Sequence, residues 1–276
     1  MIRYQGVGGV RHISRERVLT MQRARRLAST AVVAALAVSA LSACRAEPDV
    51  AAYLGDGRTI TEARIEGVYD EARDELTKAR EQVQQQQGST GASAQPVPPV
   101  QVPFKQKDVL NALLTIQLLE QAASAHGVQA GAEPTVEQVA QGSNYSPTWE
   151  YTKLYTRTFQ LRAALLPKVA PAPLTDADLR PVYDKLLSGS EGGATPFDQF
   201  KTQLSAENKQ ALQQSIGLRN ELAKIVAEDD VKLNPRYGNQ QLVLLSAQAG
   251  NADVALVELS LGGAGASEAP FVTDVS

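Results

Sequence analysis

Residues 50–62 read Val-Ala-Ala-Tyr-Leu-Gly-Asp-Gly-Arg-Thr-Ile-Thr-Glu, and their pattern changes from strand-like to helix-like over this short length. Two apolar runs flank Gly55-Asp56-Gly57, where glycines around an aspartate supply the positive φ angles of a tight turn. Thr61 is a suitable N-cap, and Glu62 puts a negative charge in the first helical turn, where the helix dipole favours it. The segment therefore predicts two short strands, a tight turn between them and a helix directly after them.

Downstream of this segment the chain is predicted to be mainly helical, because apolar residues recur every three or four positions. The predicted helices cover residues 63–87, 105–125, 135–142, 149–166 and 174–187, followed by residues 200–228 as one helix or two in line. In residues 105–125 the apolar positions spread over more than half of the helix circumference, so this helix is predicted to be central and largely buried. Residues 84–103 are rich in Gln, Gly, Ser and Pro and predict a flexible insert within the domain.

The C-terminal part is predicted to contain little regular structure. A brief strand is predicted at residues 231–233, and a further edge strand at residues 241–246. We predict that residues 231–233 pair with residues 50–54, because each would otherwise leave backbone hydrogen-bonding groups unpaired. Taken together, residues 239–276 are predicted to be a largely disordered tail, since they include the glycine-rich residues 262–266.

An export signal is predicted in residues 1–43. Arginines in residues 23–26 precede a run of Ala, Val, Leu and small hydroxyl residues that ends at Leu41-Ser42-Ala43, and this is the order of charged region, apolar region and cleavage motif in a signal peptide. A start at Met21 gives the signal ordinary proportions. An uncleaved membrane anchor is the alternative, but hydroxyl residues interrupt the run and ~17 apolar residues are the least that can span a bilayer.

The motif Leu41-Ser42-Ala43-Cys44 contains the only cysteine of the chain and resembles the lipobox of bacterial lipoproteins. In that family the cysteine is acylated and becomes the new N-terminus after cleavage. The resemblance implies a lipid anchor on Cys44, a polar tether over residues 44–49 and a position on the extracytoplasmic face of a bacterial cell membrane. With Cys44 committed to lipid, no thiol is left for a disulfide or a cysteine metal cluster.

The charge balance changes when the predicted signal is removed. Residues 1–43 hold seven of the 27 basic residues and one of the 30 acidic residues, which leaves 20 basic and 29 acidic residues and a net charge of −9. A strongly acidic chain is unsuited to nucleic acid and to an electrostatic hold on anionic lipid. Membrane attachment would come from acyl chains instead, and stable anchoring needs more than one.

The opening at residues 50–63 resembles the start of the SurA-type chaperone N-terminal domain, in which a strand ends in Asn-Gly or Asp-Gly and the helix opens with Thr-Glu or Ser-Glu. Residues 174–187 are similar to the helix that follows this domain in SurA and PrsA foldases. The ending Asn234-Pro235-Arg236-Tyr237-Gly238 is similar to the close of SurA-like lipoproteins. The resemblance covers residues 50–238 and implies a multi-helix domain with a small β element formed by its N- and C-terminal strands.

One departure from that family bears on activity. In the two-part foldases a parvulin-type prolyl isomerase domain follows the helix, but residues 188–230 are too few for it and read as a glycine break and a helix. A parvulin pocket normally uses a histidine pair, whereas His126 is the one histidine after the predicted signal. The resemblance therefore implies a chaperone-like or peptide-binding module that is not an enzyme.

Other chemistry finds little support in the sequence, and we predict no catalytic residues, no metal site and no cofactor. Ser-His-Asp catalysis would have to use His126, which lies at a helix end before a glycine and is better explained as a capping or surface residue. Asp229-Asp230 marks a helix end, and no Asp-rich loop with calcium spacing occurs. Gly55-Asp56-Gly57 lacks the spacing of a phosphate-binding loop.

The candidate client-binding residues are Tyr151, Tyr155 and Phe159, which lie along one stripe of the predicted helix 149–166. Such a stripe could grip an extended polypeptide, although this spacing is also typical of a buried core face.

The first hypothesis is therefore a membrane-anchored holder of unfolded or exported polypeptides. The second is a structural or assembly lipoprotein that docks one envelope partner, which the long charged first helix favours. A solute receptor predicts repeated strand–helix units, which are missing. The sequence does not indicate an oligomeric state.

Overall fold

The computed structural model describes residues 49–88, 99–188, 195–249 and 252–262. These residues belong to one compact unit that begins at Asp49. The described part of the chain is mainly helical, as predicted, with small antiparallel sheets. Its elements are β1 (Val50–Tyr53), β2 (Thr59–Thr61), α1 (Glu62–Gly88), α2 (Gln106–Ala125), α3 (Val136–Ser143), α4 (Glu150–Leu165), α5 (Asp176–Ser188), α6 (Phe197–Gln203), α7 (Ala206–Glu228), β3 (Lys232–Leu233), β4 (Gln240–Ala249) and β5 (Ala252–Leu261).

The first sheet joins the two ends of the helical region. Strand β1 lies in the middle and pairs antiparallel with β2 on one side and with β3 on the other. Ala52 faces Leu233 and Tyr53 faces Lys232, so the predicted pairing of residues 231–233 with residues 50–54 is confirmed. The turn between β1 and β2 contains Asp56 at φ 60° and Gly57 at φ 73°. The predicted positive φ is therefore confirmed at Gly57, but the second one falls on Asp56 and not on Gly55.

Asn234 fastens this sheet from its C-terminal side. Its backbone N–H donates to the carbonyl oxygen of Ala51 at 2.8 Å, and its Nδ2 donates to the carbonyl oxygen of Val50 at 3.1 Å. Its Oδ1 accepts a hydrogen bond from the backbone N–H of Arg236 at 3.2 Å, which begins the short helical turn Pro235–Tyr237. The motif of residues 234–238 is therefore a structural clasp on β1.

Helix α2 is the centre of the core, as predicted from its apolar positions. It packs against α1, α4, α7 and β4. Its fully buried leucines include Leu110, Leu114, Leu118 and Leu119. A helix that is apolar over most of its surface needs neighbours on several sides, and elements both before and after it in the chain supply them.

Strands β4 and β5 form a hairpin that packs on the helices, with register from Gln240–Leu261 to Ala249–Ala252. The edge strand predicted at residues 241–246 is therefore confirmed as part of β4, whereas the prediction of a largely disordered tail over residues 239–276 is wrong for the rest of β4 and for residues 252–261. Apolar side chains alternate along these strands, and one face enters the core. Its buried residues are Leu242, Leu244, Val257, Leu259 and Leu261. The prediction of a disordered tail rested on the glycine-rich residues 262–266, which lie beyond this alternation in the sequence.

Other boundaries are adjusted or lie outside the described residues. Helix α1 runs to Gly88, so residues 84–88 belong to a helix and not to the predicted flexible insert. The predicted signal, residues 1–43, and the lipidation site Cys44 lie outside the described residues. None of the helices that are described combines the length and the apolar content needed to cross a bilayer.

Candidate functional site

The candidate client-binding residues all lie on α4, but at different depths. Tyr151 is only 5% exposed and stacks on Phe104, with ring centroids 3.9 Å apart and an angle of 20° between the rings. Tyr155 and Phe159 are half-buried, and their rings meet edge to face at 4.8 Å. Tyr151 is therefore a core residue, and Tyr155 and Phe159 retain surface that a ligand could contact.

These three residues form one end of a continuous row of aromatic rings. Each ring lies within about 6 Å of the next, the range in which edge-to-face and offset contacts are favourable. The row consists of Tyr69, Phe104, Tyr145, Trp149, Tyr151, Tyr155 and Phe159. Burial of its middle section holds the half-buried end in a fixed orientation, because the rings in the middle are close-packed.

The β4–β5 hairpin lies beside the half-buried end of this row. The guanidinium of Arg162 lies 4.9 Å from the centre of the Phe159 ring, and its Nη1 donates to the carbonyl oxygen of Val243 at 3.0 Å. Val243 itself is 40% exposed. We call the surface formed by Tyr155, Phe159, Arg162 and Val243 the aromatic–hairpin surface.

The electrostatics of the aromatic–hairpin surface favour binding over acid–base chemistry. Burial raises the pKa of the Tyr155 phenol; the nearby Arg162 lowers it, while Asp253 raises it further. Burial likewise lowers the pKa of the Arg162 guanidinium, which Tyr155 partly offsets. Near neutral pH the surface thus offers an aromatic edge, a neutral phenol and a cation on a strand carbonyl.

The closing motif forms a second polar constellation, around Glu62. This residue is only 6% exposed, and its Oε2 accepts hydrogen bonds from the Tyr237 hydroxyl and from Nη2 of Arg236. Burial, followed by the hydrogen bond to Glu62, raises the pKa of the Tyr237 phenol. The first turn of α1 is thereby tied to the C-terminal clasp. The sequence indicated only that the negative charge of Glu62 suits the first turn of the helix.

A groove of about 490 Å³ opens next to this constellation, between the start of α2 and the clasp. We call it the basic groove because three of its lining side chains are cationic. Its lining residues are Tyr69, Lys105, Gln106, Lys107, Arg236 and Tyr237. Two of the cations come from the start of α2 and the third from a turn far along the chain, so residue spacing alone could not have brought them together.

Protein-family models, curated proteins and solved structures give no match to this chain.

The residues considered for catalysis or metal binding have structural partners. His126 Nε2 lies 2.8 Å from Glu221 Oε1 at the protein surface, between α2 and α7. Asp229 accepts hydrogen bonds from Arg58 at 2.9 Å and from Gln121 at 3.3 Å, which fixes the β1–β2 turn to the end of α7. Within the described ranges, no group of three or more His, Cys, Asp or Glu residues is arranged to hold a metal ion.

Proposed function

We propose that this chain is a lipoprotein of the bacterial cell membrane that holds exported polypeptides on the extracytoplasmic face, in a chaperone-like manner and without prolyl isomerase activity. The observation that carries the proposal is the aromatic–hairpin surface. Tyr155 and Phe159 are half-buried, and Arg162 connects Phe159 to the backbone of Val243, an exposed apolar residue of a strand. Aromatic side chains that are fixed in place and partly accessible bind apolar segments at little cost in conformational entropy.

The expected binding is weak and reversible. Exported chains arrive unfolded and expose apolar side chains, each of which gains about 25 cal/mol per Å² of apolar surface buried. A small surface such as this one can bury only a few such side chains, so release does not require ATP. The acidic balance of the chain outside residues 1–43, a net charge of −9, keeps such a holder soluble and separate from other copies.

The proposed lipid anchor accounts for the location. Cys44 lies five residues before Asp49, where the compact unit begins, so acylation of Cys44 would keep the aromatic–hairpin surface close to newly exported chains. Stable anchoring needs more than one acyl chain. Mass spectrometry of the membrane fraction tests this step, and a free Cys44 thiol in the cellular protein would contradict it.

The holding function is tested by light scattering of an aggregating unfolded substrate. We expect the full chain to delay aggregation at stoichiometric amounts, and the double variant Tyr155→Ser/Phe159→Ser to need about ten times more protein for the same delay, since about 1.4 kcal/mol of binding energy corresponds to tenfold. The matched control is Phe197→Ser/Phe200→Ser, which alters a second half-buried aromatic pair away from this surface. No delay by the wild-type chain would contradict the proposal.

A second function, docking of one specific envelope partner, is favoured by helix α1. This helix has 27 residues, and residues 81–86 at its C-terminal end are all exposed. Val83 is 51% exposed and continues the row formed by Ala72, Leu76 and Ala79 on one helix face. An apolar row that extends beyond the body is typical of a helix that packs on a partner.

The two functions are separated by photo-crosslinking in cells from position 83. A single crosslinked partner supports docking, whereas crosslinks to many exported proteins support holding. Position 81, on an exposed charged part of the same helix, is the matched control. If crosslinks from positions 81 and 83 are indistinguishable, the apolar row has no specific role.

A further inference from the structure

The basic groove contrasts with the acidic character of the chain. Outside residues 1–43 the net charge is −9, but the groove is lined by Lys105, Lys107 and Arg236. Lys105 and Lys107 are exposed, and within the described residues no carboxylate lies in ion-pair distance of either amino group. A local cationic groove on an acidic protein attracts anions to one place.

Two carboxylates near the groove, those of Glu62 and Asp108, accept hydrogen bonds from groove residues. Glu62 is buried, and its Oε2 accepts from Tyr237 and from Arg236, at 3.1 Å for the latter. Asp108 Oδ2 accepts the backbone N–H of Lys105 at 2.8 Å and so caps the start of α2. The two carboxylates therefore position the cationic residues of the groove. Glu62 holds the Arg236 guanidinium in place, and Asp108 fixes the backbone at Lys105.

The groove also lies near the point where the compact unit meets the proposed anchor. The carbonyl oxygen of Asp49 accepts the backbone N–H of Glu62 at 2.8 Å, and Glu62 contacts two groove residues. Only four residues lie between Cys44 and Asp49, so five peptide links join them. A chain of this length spans at most about 17 Å when fully extended, so an acylated Cys44 would keep this side of the unit within reach of the lipid headgroups.

We propose that the basic groove binds the phosphate of an anionic phospholipid headgroup and thereby seats the folded body on the membrane. This inference rests on the proposed membrane location, and it adds a second contact to the lipid anchor. Lys105 and Lys107 supply mobile ammonium groups, and Arg236 supplies a guanidinium of fixed orientation, which suits a phosphate. Tyr69 and Tyr237 line the same groove, and tyrosine is a residue favoured at the level of lipid headgroups.

The proposal is tested with vesicles, using a chain that begins at residue 44 and carries Cys44→Ser, so that no acyl chain contributes. This chain contains the whole compact unit that begins at Asp49, with its own core. We expect it to co-sediment with vesicles of equimolar phosphatidylglycerol and phosphatidylcholine and not with phosphatidylcholine alone. Binding should weaken as salt is raised.

The double variant Lys105→Gln/Lys107→Gln should bind the anionic vesicles about thirtyfold more weakly, the effect expected when two basic residues at an anionic surface are lost. The matched control is Lys209→Gln/Lys224→Gln, which removes the same charge from exposed positions of α7. It should retain binding within about twofold, because lysines away from the membrane contribute little once screened. Equal losses in both double variants would overturn the proposal, since binding would then depend only on net charge.

A separate arm distinguishes the headgroup from free phosphate. Inorganic phosphate added at constant ionic strength should displace the chain from vesicles only at millimolar concentrations, because a single phosphate lacks the surface potential of a bilayer. Tight binding of inorganic phosphate without vesicle binding would contradict the proposal that the phosphate belongs to a phospholipid headgroup. Aggregation assays report the holding function independently, so a chain that fails to bind vesicles but delays aggregation disproves only the present inference.

Discussion

Asp178 shows how a single side chain can secure a helix and a tertiary contact together. Its Oδ2 accepts a hydrogen bond from the Thr175 hydroxyl at 2.6 Å, and the Thr175 Oγ1 accepts the backbone N–H of Asp178 at 3.2 Å. Its Oδ1 accepts from Arg219 of α7 at 2.9 Å. Burial by itself raises the pKa of the Asp178 carboxyl, but the hydrogen bonds from Thr175 and Arg219 outweigh it, so the pKa lies below its usual range.

Replacing this carboxylate should therefore have an effect that depends on pH. We expect Asp178→Asn to lower the free energy of unfolding by about 1 kcal/mol at pH 7. Because the folded-state pKa is depressed, the stabilisation is present above the unfolded pKa of about 4 and is lost as pH falls through the folded value. Urea unfolding at pH 7 and pH 3 measures this, and the effect should shrink at the lower pH.

The control for this experiment is Asp176→Asn. The Asp176 side chain is 72% exposed and pairs with Lys201 on the surface, so its loss should change stability by less than about 0.5 kcal/mol. If the two variants behave alike at pH 7, the buried contact to Arg219 contributes nothing measurable.

The buried tyrosines determine stability at the opposite end of the pH range. Burial raises the pKa of Tyr151, with smaller contributions from Tyr145 and Asp108. An unfolded tyrosine ionises near pH 10, whereas the folded Tyr151 stays protonated, so its stabilisation is complete below about pH 10 and is lost as pH rises above it. We expect Tyr151→Phe to lose less stability than the wild type between pH 8 and pH 11. An equal loss in both chains would contradict this role.

At the scale of elements, α7 and the segment that follows α4 approach each other closely. The backbone N–H of Ala172 donates to the carbonyl oxygen of Gln213 at 3.0 Å. One turn further along α7, a Cβ placed on Gly217 would lie 2.3 Å from the carbonyl oxygen of Ala170. Only a glycine at this position allows the segment to lie directly on the helix.

Substitution of two helical glycines should consequently have opposite effects. We expect Gly217→Ala to lower the free energy of unfolding by about 2 kcal/mol or more, because backbone must move to admit the methyl group. Gly67→Ala on α1, where no atom lies within 4 Å of the added Cβ, should raise stability by about 0.5–1 kcal/mol. Thermal unfolding of both variants decides this, and a stabilised Gly217→Ala would show that the two segments are not in contact in solution.

For the whole molecule, the question is whether the C-terminal hairpin folds together with the helical body. Leu244 is 2% exposed and faces the core, whereas the adjacent Val243 is 40% exposed. We expect Leu244→Ala to lower the free energy of unfolding by about 2–5 kcal/mol, and Val243→Ala to change it by less than about 0.5 kcal/mol. The reason is the alternation of buried and exposed side chains along β4.

Trp149 is the only tryptophan and lies in the aromatic row, outside the hairpin. Its fluorescence therefore reports unfolding of the helical body. If hairpin and body form one cooperative unit, its fluorescence and the circular dichroism of the whole chain should show coincident transitions, both shifted by Leu244→Ala. If Leu244→Ala leaves the fluorescence transition unchanged, the hairpin unfolds independently of the helical body.

Local features of this protein could be predicted from the sequence. These features are the tight turn at Gly55-Asp56-Gly57 and the helix start at Glu62, which depend on neighbours within a few positions. The central position of α2 followed from its apolar periodicity. The pairing of β3 with β1 was predictable as well, because each strand would otherwise leave backbone hydrogen-bonding groups unpaired.

Contacts between distant segments were decided by the tertiary structure alone. How helices cross and where the hairpin packs decides that Tyr151 is more buried than Tyr155 and that Glu62 is buried beside Arg236. It also decides that Arg236 and Lys105 line the same groove. Side-chain periodicity specifies which face of an element is apolar but not which neighbour covers it. Secondary structure thus follows from short-range chemistry in this chain, whereas its surfaces for polypeptide and lipid arise only when packing brings residues from opposite ends together.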